Sequence, residues 1–271
     1  MTGSSRIPLV LVAGTVLCGT VVAAVAAATG AGTMPQVPGA SVLDAPPDQV
    51  DVGTAPGDVA GPTGAATLTS QSVATGPNPT VVADRTWVEA VAAVTGIPAT
   101  AQQAYGDATL ALGEEEPACH LGWTTLAAVG AVESGHGTHG GATLRDDGHP
   151  SVPVVGPALD GTAGTLALPA TADGTAWHGD PTWEHAVGPM QFLPQTWQRW
   201  AADGDHDGTA DPHDIEDAAL AAGRYLCAGD RDLAAAAGWR AAVLSYNRDE
   251  AYLQHVLELA DAYADASAAV P

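Results

Sequence analysis

The strongest constraint on this chain is its first third, which lacks the pattern of a packed domain. From Ile7 to Thr29 there is no charged residue. The run Ile7-Pro8-Leu9-Val10-Leu11-Val12 leads into Ala- and Val-rich sequence, and Arg6 supplies a positive flank. About 20 apolar residues suffice to cross a bilayer, and Ala23 to Ala28 offers small residues suited to signal-peptidase cleavage. Residues 1–33 are therefore read as a signal peptide or an N-terminal membrane anchor, with the choice left open. Cys18 lies inside this segment, and Thr15-Val16-Leu17 lacks the small residue expected before a lipidated cysteine. Residues 34–85 are a Pro/Gly/Ala-rich flexible linker. Its stretches Met34-Pro35-Gln36-Val37-Pro38-Gly39 and Asp44-Ala45-Pro46-Pro47 carry neither a period of 2 nor one of 3.6. The folded domain is left to residues 86–271.

Charge excludes whole classes of partner. There are 31 acids against 8 cations, all arginine, for a net charge of −23. Nucleic-acid binding needs a concentrated basic face, and a grip on anionic lipid needs a polybasic one. No nucleic acid is expected, and membrane contact is expected only through the N-terminal segment. Only five acids precede Arg85, so the acidity belongs to the folded part. Export also bears on the cysteines. With Cys18 in the membrane or cleaved off, Cys119 and Cys227 remain in an oxidising compartment, where a disulfide is the default. A catalytic thiol is the competing reading, and no Cys-His motif accompanies either residue.

The periodic segments of the folded part predict mostly helix. Thr86 to Val94 is amphipathic and is stopped by Gly96-Ile97-Pro98; Thr100 to Leu112 ends at Gly113. Leu121 to Ser134 is strongly apolar with Gly135 as its terminator. Helices resume at Pro194 to Ala201, Ile215 to Cys227, Leu233 to Ser245 and Glu250 to Ala264. Gly140 to His185 is Gly/Asp/Pro/Thr-rich with little periodicity, and a loop that long inside a domain is usually functional or disordered. The fold class is α+β, mostly α, with a long irregular insertion.

Glu133 closes the uncharged helix ending Val129-Gly130-Ala131-Val132-Glu133-Ser134-Gly135. Apolar neighbours favour the neutral carboxyl, the form a general acid needs. Two further stretches follow in order, Gly188-Pro189-Met190-Gln191-Phe192 and Leu244-Ser245-Tyr246-Asn247. Taken together these motifs resemble the lytic murein transglycosylases of the lysozyme-like superfamily, above all the membrane-bound B type and its secreted actinobacterial relatives. The resemblance covers roughly Ile97 to Ala264 and includes the cysteine pair. It implies a lysozyme-like catalytic domain, with Glu133 as the catalytic carboxylate and Ser134 fixing the helix end beside it. Gln191, with Met190 and Phe192, would line the saccharide groove, and Tyr246 and Asn247 would face Glu133 across the cleft.

The chemistry the resemblance implies needs one carboxylate. Glu133 would protonate the glycosidic oxygen between N-acetylmuramic acid and N-acetylglucosamine, the 2-acetamido group would stabilise the developing cation, and Glu133 would then accept the muramyl 6-hydroxyl proton as a 1,6-anhydro ring closes. A hydrolytic muramidase is the nearest rival. It would want a second carboxylate to activate water, with Asp180 and Glu184 as candidates and Asp146 and Asp147 behind them. A catalytically silent wall-binding module is the rival from another class. The implied partner is the peptidoglycan glycan strand, met by a monomer in the cell envelope.

Asp203, Asp205 and Asp207 stand at positions 1, 3 and 5 of an acidic loop, Gly208 at 6, and Thr209 at 7, where a backbone carbonyl ligates. That is the first half of an EF-hand calcium loop. Position 12 is Asp214; relatives with a longer version close it at position 15, here Asp217. Asp217 is taken as the closing ligand of a structural Ca²⁺ and Asp214 as the alternate, with Mg²⁺ or an empty Asp/Gly turn still open. No organic cofactor is expected. His136 and His139 sit i, i+3 but flank helix-breaking glycine and lack a third ligand, so zinc is disfavoured. Trp177, Trp183, Trp197 and Trp200 are candidates for sugar stacking, the last two equally for core.

Overall fold

A computed structural model describes residues 68–73, 80–162 and 165–271; the segment 1–33 and most of the linker lie outside them. In chain order the elements are β1 (Ser70–Val73), β2 (Thr80–Ala83), α1 (Arg85–Thr95), α2 (Ala99–Glu115), α3 (Trp123–Ser134), α4 (Ala172–His178), α5 (Pro194–Trp200), α6 (Ile215–Cys227), α7 (Ala236–Tyr246) and α8 (Glu250–Ser267). Among the described residues no helix is long and apolar enough to cross a membrane.

A helix without a polar stripe must be covered on every side, and α3 is over its first two turns. Its residues 123 to 130 are all buried, with α2, α6 and α8 packed around it. Trp123 meets Trp87 of α1 edge to face at 5.7 Å, and the Trp239 indole N–H of α7 donates to Thr125 Oγ1 at 3.1 Å. Gly135 ends α3 in the left-handed conformation, as a C-terminal glycine should. Its N–H donates to Ala131 O, and the His136 N–H reaches back to Gly130 O, both at 2.9 Å. The Cys119–Cys227 disulfide is formed, joining the approach to α3 to the end of α6.

Several boundaries differ from the periodicity. Gly113 does not stop α2, which runs on to Glu115 and turns at Glu116; a glycine outside the left-handed region can stay helical. α7 starts at Ala236 because Asp232 takes the N–H of Ala234 on its carboxylate and that of Ala235 on its carbonyl, turning the chain first. The end of the stretch read as linker holds an antiparallel pair, with Ser70 opposite Ala83. Asp107 of α2 accepts the Ala83 N–H at 2.6 Å, and a Cβ on Gly106 would stand 2.7 Å from that of Ala83. Long-range contacts of this kind leave no local period.

The described residues of the insertion, 140–162 and 165–185, are folded. Isolated antiparallel bridges pair Leu144 with Pro150, Val155 with Val187, and Pro169 with Trp183, and Leu159, Ala186 and Leu193 form a small core of their own. The short helix α4, absent from the sequence expectation, wraps around one carboxylate. Glu184 accepts from the Thr171 N–H at 3.1 Å, and its other oxygen meets His178 Nε2 at 2.7 Å with both side chains buried. The Asp180 N–H donates to His178 Nδ1 at 3.1 Å, so the ring proton sits on Nε2, aimed at Glu184.

Candidate active site

Glu133, half-buried in the last turn of α3, accepts a 2.6 Å hydrogen bond on Oε1 from the Tyr252 hydroxyl. Tyr252 stands near the start of α8 and is itself buried. Sequence reasoning missed it. The only trace was a buried stripe of Tyr252, Leu253, Val256 and Ala260, in which a phenol reads as one more core side chain. Burial first, then the Glu133 charge, pushes the Tyr252 phenol well above 10, so it remains a donor.

Ser134 ties this helix end to the next motif. Its hydroxyl donates to Pro189 O at 2.5 Å and accepts the Gly137 N–H at 2.7 Å. The turn Gly188–Gln191 is closed by paired hydrogen bonds between Val187 and Phe192, each 2.9 Å. Gly188 has φ +78°, and a Cβ there would lie 1.7 Å from Pro212 O; only glycine fits between the turn and the acidic loop. Gln191 is also left-handed, with φ 52°. Its side-chain amide donates to Gly188 O at 3.0 Å.

The remaining expected groove residues sit deeper than expected. Met190, Phe192 and Tyr246 have no exposed surface, which corrects the reading of the first two as groove-lining side chains. Phe192 packs on Trp197 at 5.2 Å, and Tyr246 donates to Met190 O at 2.7 Å. The reason is packing: the turn that presents Gln191 has to be anchored, and its apolar residues are the anchor. Tyr246 still senses Glu133, whose charge, after burial, raises its phenol well above 10. Asn247 caps α7 and accepts the Asp249 N–H at 3.2 Å.

Three of the four carboxylates considered for activating water are engaged elsewhere. Glu184 is sealed under α4 against His178. The Thr182 N–H, the His185 ring and the Trp183 N–H hold the Asp180 carboxyl below the usual range. Arg145 and the His149 N–H do the same for Asp147, and a carboxylate held low is a weak base. Asp146 is exposed in the same turn. His136 and His139 do not meet at a metal: His136 is buried between Tyr105 and Tyr263, and His139 is exposed. Trp197 is buried, whereas Trp177, Trp183 and Trp200 are half-buried.

The acidic loop gathers as a potential cation site. Ligand oxygens of Asp203, Asp205 and Asp217 lie within 4.8 Å of one another. Asp205 and Asp217 border a cavity of about 80 Å³ that Asp207, Thr209, Asp211, Asp214 and His149 also line. Asp203 Oδ1 is buried without a hydrogen-bond partner, as expected of an oxygen kept for a cation. Asp214 instead caps α6, accepting the Glu216 and Asp217 N–H groups. Asp217 accepts from Gly204 and Asp211 N–H at 2.6 and 2.8 Å.

The fold is mostly helical, with Glu133 at the end of its central helix. Residues 165–241 match the family described as Transglycosylase SLT domain. The matched stretch holds the end of the insertion, the Gly188–Gln191 turn, the acidic loop and α6; Glu133 and Tyr246 lie outside it. No curated protein and no solved structure matches the chain.

Proposed function

We propose that the protein is a lytic transglycosylase of the cell envelope that cleaves the MurNAc–GlcNAc β-1,4 bond of peptidoglycan without water, leaving 1,6-anhydro-MurNAc ends. The observation that carries this reading is the Tyr252–Glu133 hydrogen bond. It holds the carboxyl in one orientation, and the proton that carboxyl carries is the one transferred. Glu133 donates that proton to the glycosidic oxygen as the C1–O4 bond breaks, and the substrate's 2-acetamido oxygen shares the positive charge at C1. The muramyl 6-hydroxyl then attacks C1 and returns a proton to Glu133, which acts as acid and then as base. Ser134 and Tyr246 position this residue through the Gly188–Gln191 turn, and Gln191 and Asn247 border the groove. The similarity of residues 165–241 to a transglycosylase domain supports the reaction class, and the disulfide supports an extracytoplasmic location.

Mass spectrometry of soluble products from cell-wall sacculi tests this. Products ending in anhydro-muramic acid are expected, lighter by one water than hydrolysed ones. Reducing ends alone would overturn the proposal in favour of a muramidase, and binding without release would make the protein a wall-binding module.

The cation we assign to the acidic loop is Ca²⁺, held by Asp203, Asp205, Asp207, the Thr209 carbonyl and Asp217. Its role is structural, since hard oxygen ligands suit calcium and the loop leads into α6. Burial and then neighbouring acids push Glu216 from 4.5 to about 7 and Asp217 from 3.8 to about 6. Without a cation these raised acids weaken the native state above their folded pKa values, and the penalty fades as pH falls towards 4. A cation competes with those protons. Calcium is therefore expected to raise Tm by several degrees at pH 8 and much less at pH 5. A Tm indifferent to both calcium and chelator at pH 8 would remove the assignment.

A further inference from the structure

Three residues beyond Glu133 a buried imidazole joins a chain of side chains that the acid–base chemistry does not use. His136 is 7 % exposed. Its Nδ1 is 3.0 Å from the Tyr105 hydroxyl of α2, and its Nε2 is 3.1 Å from the Tyr263 hydroxyl of α8. Burial lowers the imidazole to about 4 and raises Tyr263 to about 12. At neutral pH the chain is thus hydroxyl, neutral imidazole, hydroxyl, with one ring nitrogen donating and the other accepting.

Two unfavourable local choices accompany this arrangement. His136 adopts φ 60°, a left-handed conformation that side chains avoid. Gly130 sits inside α3, where glycine is less favourable than alanine. A Cβ at Gly130 would stand 2.1 Å from the Tyr105 hydroxyl oxygen and 3.2 Å from Met190 Sδ. The helix gives up a side chain so that Tyr105 can pass beneath it to the imidazole. The His136 N–H meanwhile closes the cap on Gly130 O. Backbone and side chain of one residue therefore lock the turn that follows Glu133, and α8 holds the helix end through both Tyr252 and Tyr263.

We propose that His136 is a positioning residue: the Tyr105–His136–Tyr263 chain fixes the last turn of α3 and, through it, the direction of the Glu133 carboxylate against Tyr252. The proposal rests on Glu133 being the acid/base.

The test compares Tyr263→Phe, which deletes one oxygen from a half-buried side chain, with His136→Asn, whose side chain tolerates the left-handed backbone. Each is assayed for kcat and KM on soluble glycan strands, with Tm and the ¹³C shift of the Glu133 carboxyl as readouts independent of turnover. Misplacing a reacting group by about 1 Å can cost 100-fold. The expected result is a kcat loss of about 10- to 100-fold with KM unchanged and a displaced Glu133 carboxyl signal. Wild-type kcat in a folded Tyr263→Phe protein would overturn the proposal, as would losses that follow Tm alone and vanish at a lower assay temperature. Should His136→Asn fail to fold, Tyr263→Phe decides alone. Failure of the underlying reading looks different: Glu133→Gln would then retain activity whatever the tyrosine variants do.

Discussion

Glu133→Gln is expected to abolish release of soluble products from sacculi while leaving the fold intact. General acid–base catalysis contributes about 10²- to 10⁴-fold, and here one group serves both proton transfers, so the loss should reach at least about 10³-fold. The fold should survive because the side chain is only half-buried and the Tyr252 hydroxyl can donate to an amide oxygen as it does to Glu133 Oε1. Product yield by mass spectrometry, read beside an unchanged Tm, checks both halves. Undiminished release from the variant would remove Glu133 from the chemistry.

The second large effect concerns stability. Replacing Cys119 and Cys227 together by serine opens a loop whose ends are 108 residues apart, for which chain entropy gives about 4–5 kcal/mol. For a domain of this size that corresponds to a Tm fall of roughly 8–20 °C. The bond encloses α3, the insertion, the acidic loop and α6, and the Leu233 N–H donates to Cys119 O at 2.7 Å just outside it. The loss should therefore appear in one cooperative transition with both α3 and α6. Denaturant titrations of wild type and the double variant measure it; a difference below about 1 kcal/mol would show that packing alone holds these elements together.

What the sequence revealed depended on how local the determinant was. Ile215 to Cys227 was bounded correctly because Asp214 caps its start and the apolar period stays regular throughout. The end of α3 was visible in Gly135 for the same reason. α4 stayed hidden because its glycine at position 174 exists to clear Glu184, whose Oε1 would lie 1.9 Å from a Cβ there. Burial of Met190 and Phe192 was equally unreadable, since a motif records which residues recur at a site and not which of them point inward. Tyr252 was missed because its partner is 119 residues away.

That last contact bears on when activity can arise. α8 follows every other described element in the chain, yet it supplies Tyr252 to Glu133 and Tyr263 to His136. A partly made chain that already carries α3, the Gly188–Gln191 turn and the acidic loop still has a carboxylate without its phenol. The proposed acid/base would thus lack this partner until α8 has been synthesised and docked, and clipping α8 away would remove it again.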